Sequence, residues 1–280
     1  MGAVALAAVS AIIWGVGDYA GGRASRAMPA LRVTALVQLL GLPVALAAAL
    51  AMTFWGTGAT VVRPADLAWG AAAGLAGLAG IVLLYRALAG GAMAVAAPTT
   101  AVAAAVLPVG IGLLLGERPG PTALIGVVCA LLSVALVSAA GGSGKVTAGL
   151  VLTAIGAGTG FGLFFAGMDR FGENAGMWPL VGARVIGAVL GLAVLLLTRR
   201  PEGPLPRREL AAAGSLDTIA NVTYLLALHS GMLAVVAPVA SLYPASTVLL
   251  AFALDRERVR PVQVTGLALA GAALVLTSIA

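Results

Sequence analysis

ALAGGAMAVAAP (87–98) recurs 140 positions later as ALHSGMLAVVAP (227–238), and GERPGPTALIG (116–126) recurs behind it as RERVRPVQVTG (256–266). Laid together without a gap, residues 81–140 and 221–280 share 18 identities in 60 positions. Alanine inflates such a count. The pairs Gly91/Gly231, Pro98/Pro238, Glu117/Glu257, Arg118/Arg258, Pro121/Pro261 and Gly126/Gly266 are not alanine matches, so the similarity reflects duplication. The chain therefore reads as two copies of one unit, residues 1–142 and 143–280.

Working outward from the repeat, composition decides what solvent surrounds it. The 280 residues are 61% hydrophobic and 9% charged, with a mean hydropathy of +1.09. A water-soluble domain carries about 25% charged residues, so this chain uses lipid as its solvent. Its apolar runs last 18 residues or more, which fits spanning helices and not the short alternating strands of a barrel. Ten spans are expected, near 3–21, 30–53, 66–87, 92–115, 121–140, 147–168, 176–198, 209–229, 232–254 and 261–279. The first run lacks a basic leader and resembles the nine that follow, so it is expected to be a retained helix.

Ten spans in two copies make five per copy. Five is odd, so the second copy enters the membrane in the opposite sense and the repeat is inverted. The expected fold is an all-α integral membrane protein of ten transmembrane helices in two inverted five-helix repeats. Small-residue runs such as GAAAGLAGLAG (70–80) and GARVIGAVLG (182–191) let helix backbones approach closely in lipid, and they read first as packing faces.

The residues that carry the repeat, together with IIWG (12–15) and the GER turn at 116–118, resemble EamA-type transporters of the drug/metabolite transporter superfamily. The resemblance covers essentially the whole chain. It implies ten helices and export or exchange of a small organic solute. It does not name the solute, because the family handles amino acids, nucleotide-like metabolites and drugs. In the second copy Arg256 replaces the turn glycine, Gly116, a departure from the pattern.

Candidate site residues follow from polarity placed where lipid disfavours it. Trp14 and Asp18 stand four apart on one face of the first span. An intramembrane carboxylate readily trades a proton with its surroundings, which suits proton-coupled transport. The competing reading lets Asp18 reach the interface and pair with Arg23. In the eighth span Asp217, Asn221 and Tyr224 form one helical stripe, while their repeat partners Gly77, Ile81 and Leu84 are small or apolar. Polarity in one copy alone favours a cavity lining. Helix-packing hydrogen bonds, or an Asp217 near the interface, are the alternatives. Tyr85 and Arg86 end the third span, with Arg86 an interfacial anchor or an anion contact. Thr99 follows Pro98, and Pro98, Pro108, Pro238 and Pro244 free backbone carbonyls that, with Ser241 and Tyr243, are candidates to line a central cavity. Arg32 and Arg184 either steady an anionic group or snorkel to the interface.

Other chemistries find little support. The single Cys129 and single His229 argue against a zinc site, and His229 reads as a helix-end residue meeting a free carbonyl. No cofactor is implied. The letters GVGD (15–18) match one motif of intramembrane aspartyl proteases, but the second aspartate motif is missing, so an embedded enzyme is the weaker alternative. A non-transporting membrane partner is the other. No Walker A loop appears, so ATP is not the direct driver, and a proton gradient is the simplest source of energy. The net charge of +6 sits in short loops, suited to anionic lipid headgroups, with no basic domain to hold nucleic acid. Oligomeric state is not legible.

Orientation draws two answers. Odd-numbered loops carry twelve of the sixteen basic residues, which by the positive-inside rule places both termini outside the cytoplasm, whereas the family resemblance implies both inside. Arginine, alanine and glycine usage points to a GC-rich bacterium, hence a bacterial cytoplasmic membrane. The duplicated Glu-Arg pair reads as a helix-reversing turn. Glu117 and Glu257 are expected to favour the N-termini of the helices that follow them.

Overall fold

A computed structural model describes residues 2–56, 59–89, 93–139, 146–172, 174–198, 204–256 and 259–280, apart from the side chains at 85, 88, 89, 93 and 94. The described elements are all helices: α1 (Gly2–Ser25), α2 (Ala30–Trp55), α3 (Pro64–Ala89), α4 (Met93–Leu114), α5 (Pro121–Val137), α6 (Ala148–Met168), α7 (Trp178–Leu197), α8 (Arg207–Leu228), α9 (Leu233–Ala240), α10 (Tyr243–Asp255) and α11 (Pro261–Ser278). Because α9 and α10 make one apolar span, Leu233–Asp255, the chain crosses the membrane ten times. The shortest span, α5, has 17 residues and reaches about 25 Å, at the short end of the helices that cross a hydrocarbon core.

Helix boundaries follow local chemistry. Pro64, Pro121 and Pro261 open their helices, where the missing N–H costs nothing. Thr147 caps α6 by accepting from the Leu150 N–H at 3.2 Å. The ninth span breaks at Ser241–Leu242, between Pro238 and Pro244, because Pro244 has no N–H to continue the ladder. Its repeat counterpart α4 contains Pro98 and Pro108 yet runs unbroken. The position equivalent to Pro244 there is Ala104, so the break belongs to the second half alone.

The most extensive helix contacts join the two halves: α1 with α8, α3 with α6, α5 with α11, α4 with α6 and α2 with α7. Exchanging the halves turns the α1–α8 pair into the α6–α3 pair, as an in-plane pseudo-twofold requires. Gly2, Ala280 and the starts of α3, α5, α7 and α9 lie at one end of the bundle, the terminal end. The starts of α2, α4, α6, α8 and α11 lie at the opposite end. Side-chain contacts agree with this trace. Glu117 and Leu233 meet at the terminal end, while Asp255 meets Arg23 and Arg26 at the opposite end, at 3.0 and 3.2 Å.

The close crossings depend on glycine. A Cβ on Gly160 of α6 would stand 2.7 Å from both the Ala76 carbonyl oxygen and the Gly80 nitrogen of α3, backbone atoms that cannot turn aside. Gly160→Ala is expected to cost roughly 1–3 kcal/mol by forcing the helices apart. Gly149, whose Cβ would meet only the Thr147 hydroxyl at 4.0 Å, is the near-neutral control. Thermal unfolding of the purified variants in detergent checks both.

Candidate functional site

The polar centre is assembled from four spans. Trp14 stands midway along α1 and Asp217 midway along α8, ten residues from Arg207 and eleven from Leu228. At ~1.5 Å per residue Asp217 lies roughly 15 Å from either helix end, so the interfacial reading of this aspartate fails. The antiparallel packing of α1 on α8 brings the Trp14 indole N–H to Asp217 Oδ1, to which it donates at 3.1 Å. The other carboxylate oxygen of Asp217 accepts from a terminal nitrogen of Arg184 on α7, and the second terminal nitrogen of Arg184 donates to Gln38 Oε1 on α2. Arg184 is therefore neither a snorkelling anchor nor a free anion receptor. It is 6% exposed, and its Nε is buried without an acceptor. Gly41 allows this assembly: a Cβ there would collide with the Thr218 hydroxyl and press on the Arg184 guanidinium carbon at 3.4 Å.

The rest of the α8 stripe stands behind the wall and does not line a cavity. Asn221 is 2% exposed and donates to the Asp217 carbonyl at 2.6 Å, with its Oδ1 buried and unpartnered. Tyr224 is fully buried and its hydroxyl donates to the Phe165 carbonyl at 3.3 Å. Tyr224, Phe165, Trp14 and Tyr243 form one aromatic cluster, with centroids 5.2 Å apart for Phe165–Tyr224, 5.7 Å for Trp14–Tyr224 and 6.4 Å for Trp14–Tyr243. Of the four, Tyr243, first residue of α10, keeps the most accessible surface.

Asp18 is the exception on its helix. Ala7, Ala11 and Trp14 precede it by eleven, seven and four residues on the same face, and all three are buried. The lipid-facing Ala5, Val9 and Ile12 lie on the opposite side of α1. Yet Asp18 is exposed, as is Gly22 one turn further on. An exposed carboxylate on a buried face means that the bundle opens there into an internal crevice. Asp217 shares it, its side chain retaining 33% accessibility at mid-helix. Asp18 lies within Coulombic reach of Asp217 and Tyr243. Among the described residues it has no hydrogen-bond or ion-pair partner. The expected Arg23 pairing does not form, because Arg23 and Arg26 both hold Asp255.

Other candidates fall elsewhere. Thr99 borders a shallow apolar groove of about 440 Å³ between α4 and α6, beside the exposed Val106 and Ile155, away from the Asp217 network. Ser241 is buried and donates back to the Ala237 carbonyl at 2.8 Å, so it lines no cavity. Arg32 donates to the Thr198 carbonyl and hydroxyl, both at 2.7 Å, and ties the start of α2 to the end of α7. Arg86 is exposed in the last turn of α3, as an interfacial anchor should be. His229 caps the C-terminus of α8. The Tyr85 side chain lies outside the described residues, as do Glu257 and Arg258.

Glu117 does not serve the helix that follows it. Its carboxylate accepts from the backbone N–H groups of Leu233 and Ala234 at 2.7 and 2.8 Å, capping α9 in the other half. Met232 at the N-cap position supplies no side-chain bond of its own. Every residue of α9 is buried, so this helix packs inside the bundle on the terminal side.

Sequence reasoning missed Gln38 and the pairing of Arg184. The legible signal for Gln38 was a lone amide in the apolar run TALVQLLGLP (34–43), too short to reach the interface.

Comparison with known proteins gives the family. A solved crystal structure superposes with a TM-score of 0.76 at 20% identity, covering 99% of this chain and 96% of that one, a likeness of fold. No curated protein sequence matches significantly. The model of the EamA-like transporter family matches residues 1–139 and again 149–279. Two matches that together span nearly the whole chain place this protein in the EamA-like transporter family, a family of membrane transporters.

Proposed function

We propose that the protein is a secondary transporter that carries a small organic solute by alternating access through the crevice beside Asp18. The units 1–142 and 143–280 are the moving halves, and a bacterial cytoplasmic membrane is the setting. The observation that carries this reading is the one-sidedness of the polar centre. At the terminal end α9 is wholly buried and fastened by Glu117. Toward the opposite end the exposed face runs from Asp18 to Gly22, where an added Cβ would meet nothing within 4 Å. A polar site at mid-membrane, exposed toward one side and backed by a buried helix on the other, suits one of the two states alternating access needs. Exchange of the pseudo-equivalent halves supplies the other.

In this reading Asp18 binds solute or proton, and the Arg184–Asp217 pair stands beside it. Proton coupling is the simplest drive. Reconstituted into proteoliposomes with an imposed pH gradient, the parent protein is expected to accumulate solute from a panel of radiolabelled amino acids and amines. Asp18→Asn is expected to abolish uphill accumulation while sparing passive exchange, because the amide keeps the shape and loses the proton site. Accumulation equal to that of the parent would remove the proton role. Absence of any flux from the parent protein would remove the transporter reading.

A further inference from the structure

We infer that the crevice selects organic cations, a protonated amine on an apolar body being the simplest. The inference rests on the transporter reading of the same crevice and adds the charge of its cargo. Three ionisable side chains bound the polar centre: Asp18, Asp217 and Arg184. Arg184 and Asp217 neutralise each other, and the remaining terminal nitrogen of Arg184 is spent on Gln38. The guanidinium is buried, so an anion reaches it only by displacing a carboxylate already in place. The next cations toward the opening, Arg23 and Arg26, are held by Asp255 at 3.0 and 3.2 Å. That leaves Asp18, exposed in the crevice and without a partner among the described residues, as the one carboxylate there with no cation beside it.

A carboxylate accepts hydrogen bonds and donates none, and an ammonium donates and accepts none. The two are complementary where water is scarce and Coulomb terms are strong. Around Asp18 the wall is apolar and aromatic. Tyr243 is partly exposed within Coulombic reach of it and Trp14 stands one turn away on the same helix face, so aromatic side chains are close to a cation held there. An anionic solute beside Asp18 would face like charge, and it would meet the Arg184 guanidinium only behind the Asp217 carboxylate. A proton and a cationic solute would then compete for this one carboxylate.

The test is equilibrium binding of radiolabelled tetraphenylphosphonium to the full chain in nanodiscs, with empty nanodiscs as the background. Two competitors of matched size differ in charge: phenethylammonium and phenylacetate. Phenethylammonium is expected to displace the probe at a concentration at least about tenfold below that of phenylacetate, the size of one charge-assisted hydrogen bond. Asp18→Asn is expected to weaken probe binding by about tenfold or more, and Asp18→Glu, which keeps the charge, by no more than about threefold. Equal displacement by phenylacetate, unchanged affinity in Asp18→Asn, or no saturable probe binding would each overturn the inference. If Asp18→Asn fails to give a monodisperse protein, the competitor pair on the parent protein still decides. Uptake of anionic solutes without cation binding sinks this inference and leaves the transporter reading standing. Cation binding without transport of any solute does the reverse.

Discussion

Asp217→Leu is expected to lose about 3–5 kcal/mol of stability, toward the lower end because Asp217 keeps contact with the crevice. The loss comes less from the aspartate than from what it leaves behind. Arg184 would remain a buried cation held by the Gln38 amide alone, its Nε already without an acceptor, and the Trp14 N–H would lose its partner. Removing both charges together, Asp217→Leu with Arg184→Met, is expected to recover most of that stability, since apolar side chains of similar volume replace a buried ion pair at little cost. A double-mutant cycle on thermal unfolding in detergent separates the two contributions. Transport should stay lost in the double variant, because the apolar pair no longer accepts the Trp14 N–H that orients its ring. Full stability in the single variant would contradict the assignment of Asp217 as the counterion of Arg184.

Glu117→Ala carries the second large effect. It strips the acceptors from two backbone N–H groups at the start of α9, where Leu233 and Ala234 are fully buried. Each unsatisfied buried donor costs roughly 1–3 kcal/mol, so a loss of about 2–4 kcal/mol is expected after partial relaxation. Glu117→Gln keeps one acceptor and sheds the charge, and a loss of about 1 kcal/mol follows. Hydrogen exchange gives the local readout: the Leu233 and Ala234 amides should lose protection in Glu117→Ala while mid-helix amides of α6 do not. Equal protection in the variant would mean that another group caps α9.

These expectations mark where sequence was sufficient. Fold class came from the length of the apolar runs and from the repeat, both properties of chain chemistry alone. The Asp217 stripe was legible as polarity without a repeat counterpart, but a lining, a packing and an interfacial role read alike until the helix ends were placed. Trp14 and Asp18 were legible as one face for the same periodic reason. What could not be read was which helices meet. Arg184 reads the same whether it snorkels or folds inward, and only the approach of α7 to α8 and α2 decides. Asn221 and Tyr224 share the stripe of Asp217, yet depth along the wall separates one lining residue from two buried ones. Glu117 looked like punctuation for its own turn because its partners lie 116 and 117 residues away.

That last bond also constrains how the protein is made. The loop holding Glu117 leaves the ribosome long before Leu233 and Ala234 exist, so during synthesis the carboxylate waits at the membrane surface. The first turn of α9 enters the bilayer with its backbone donors unmet until it docks against the earlier half. A nascent chain halted after α8 therefore has a finished-looking first repeat whose turn still lacks its ligand. Correct assembly is completed when the ninth span arrives. Mistakes of insertion in the second half should be caught late, as a failure to close one end, and not as a failure of the first five helices to form.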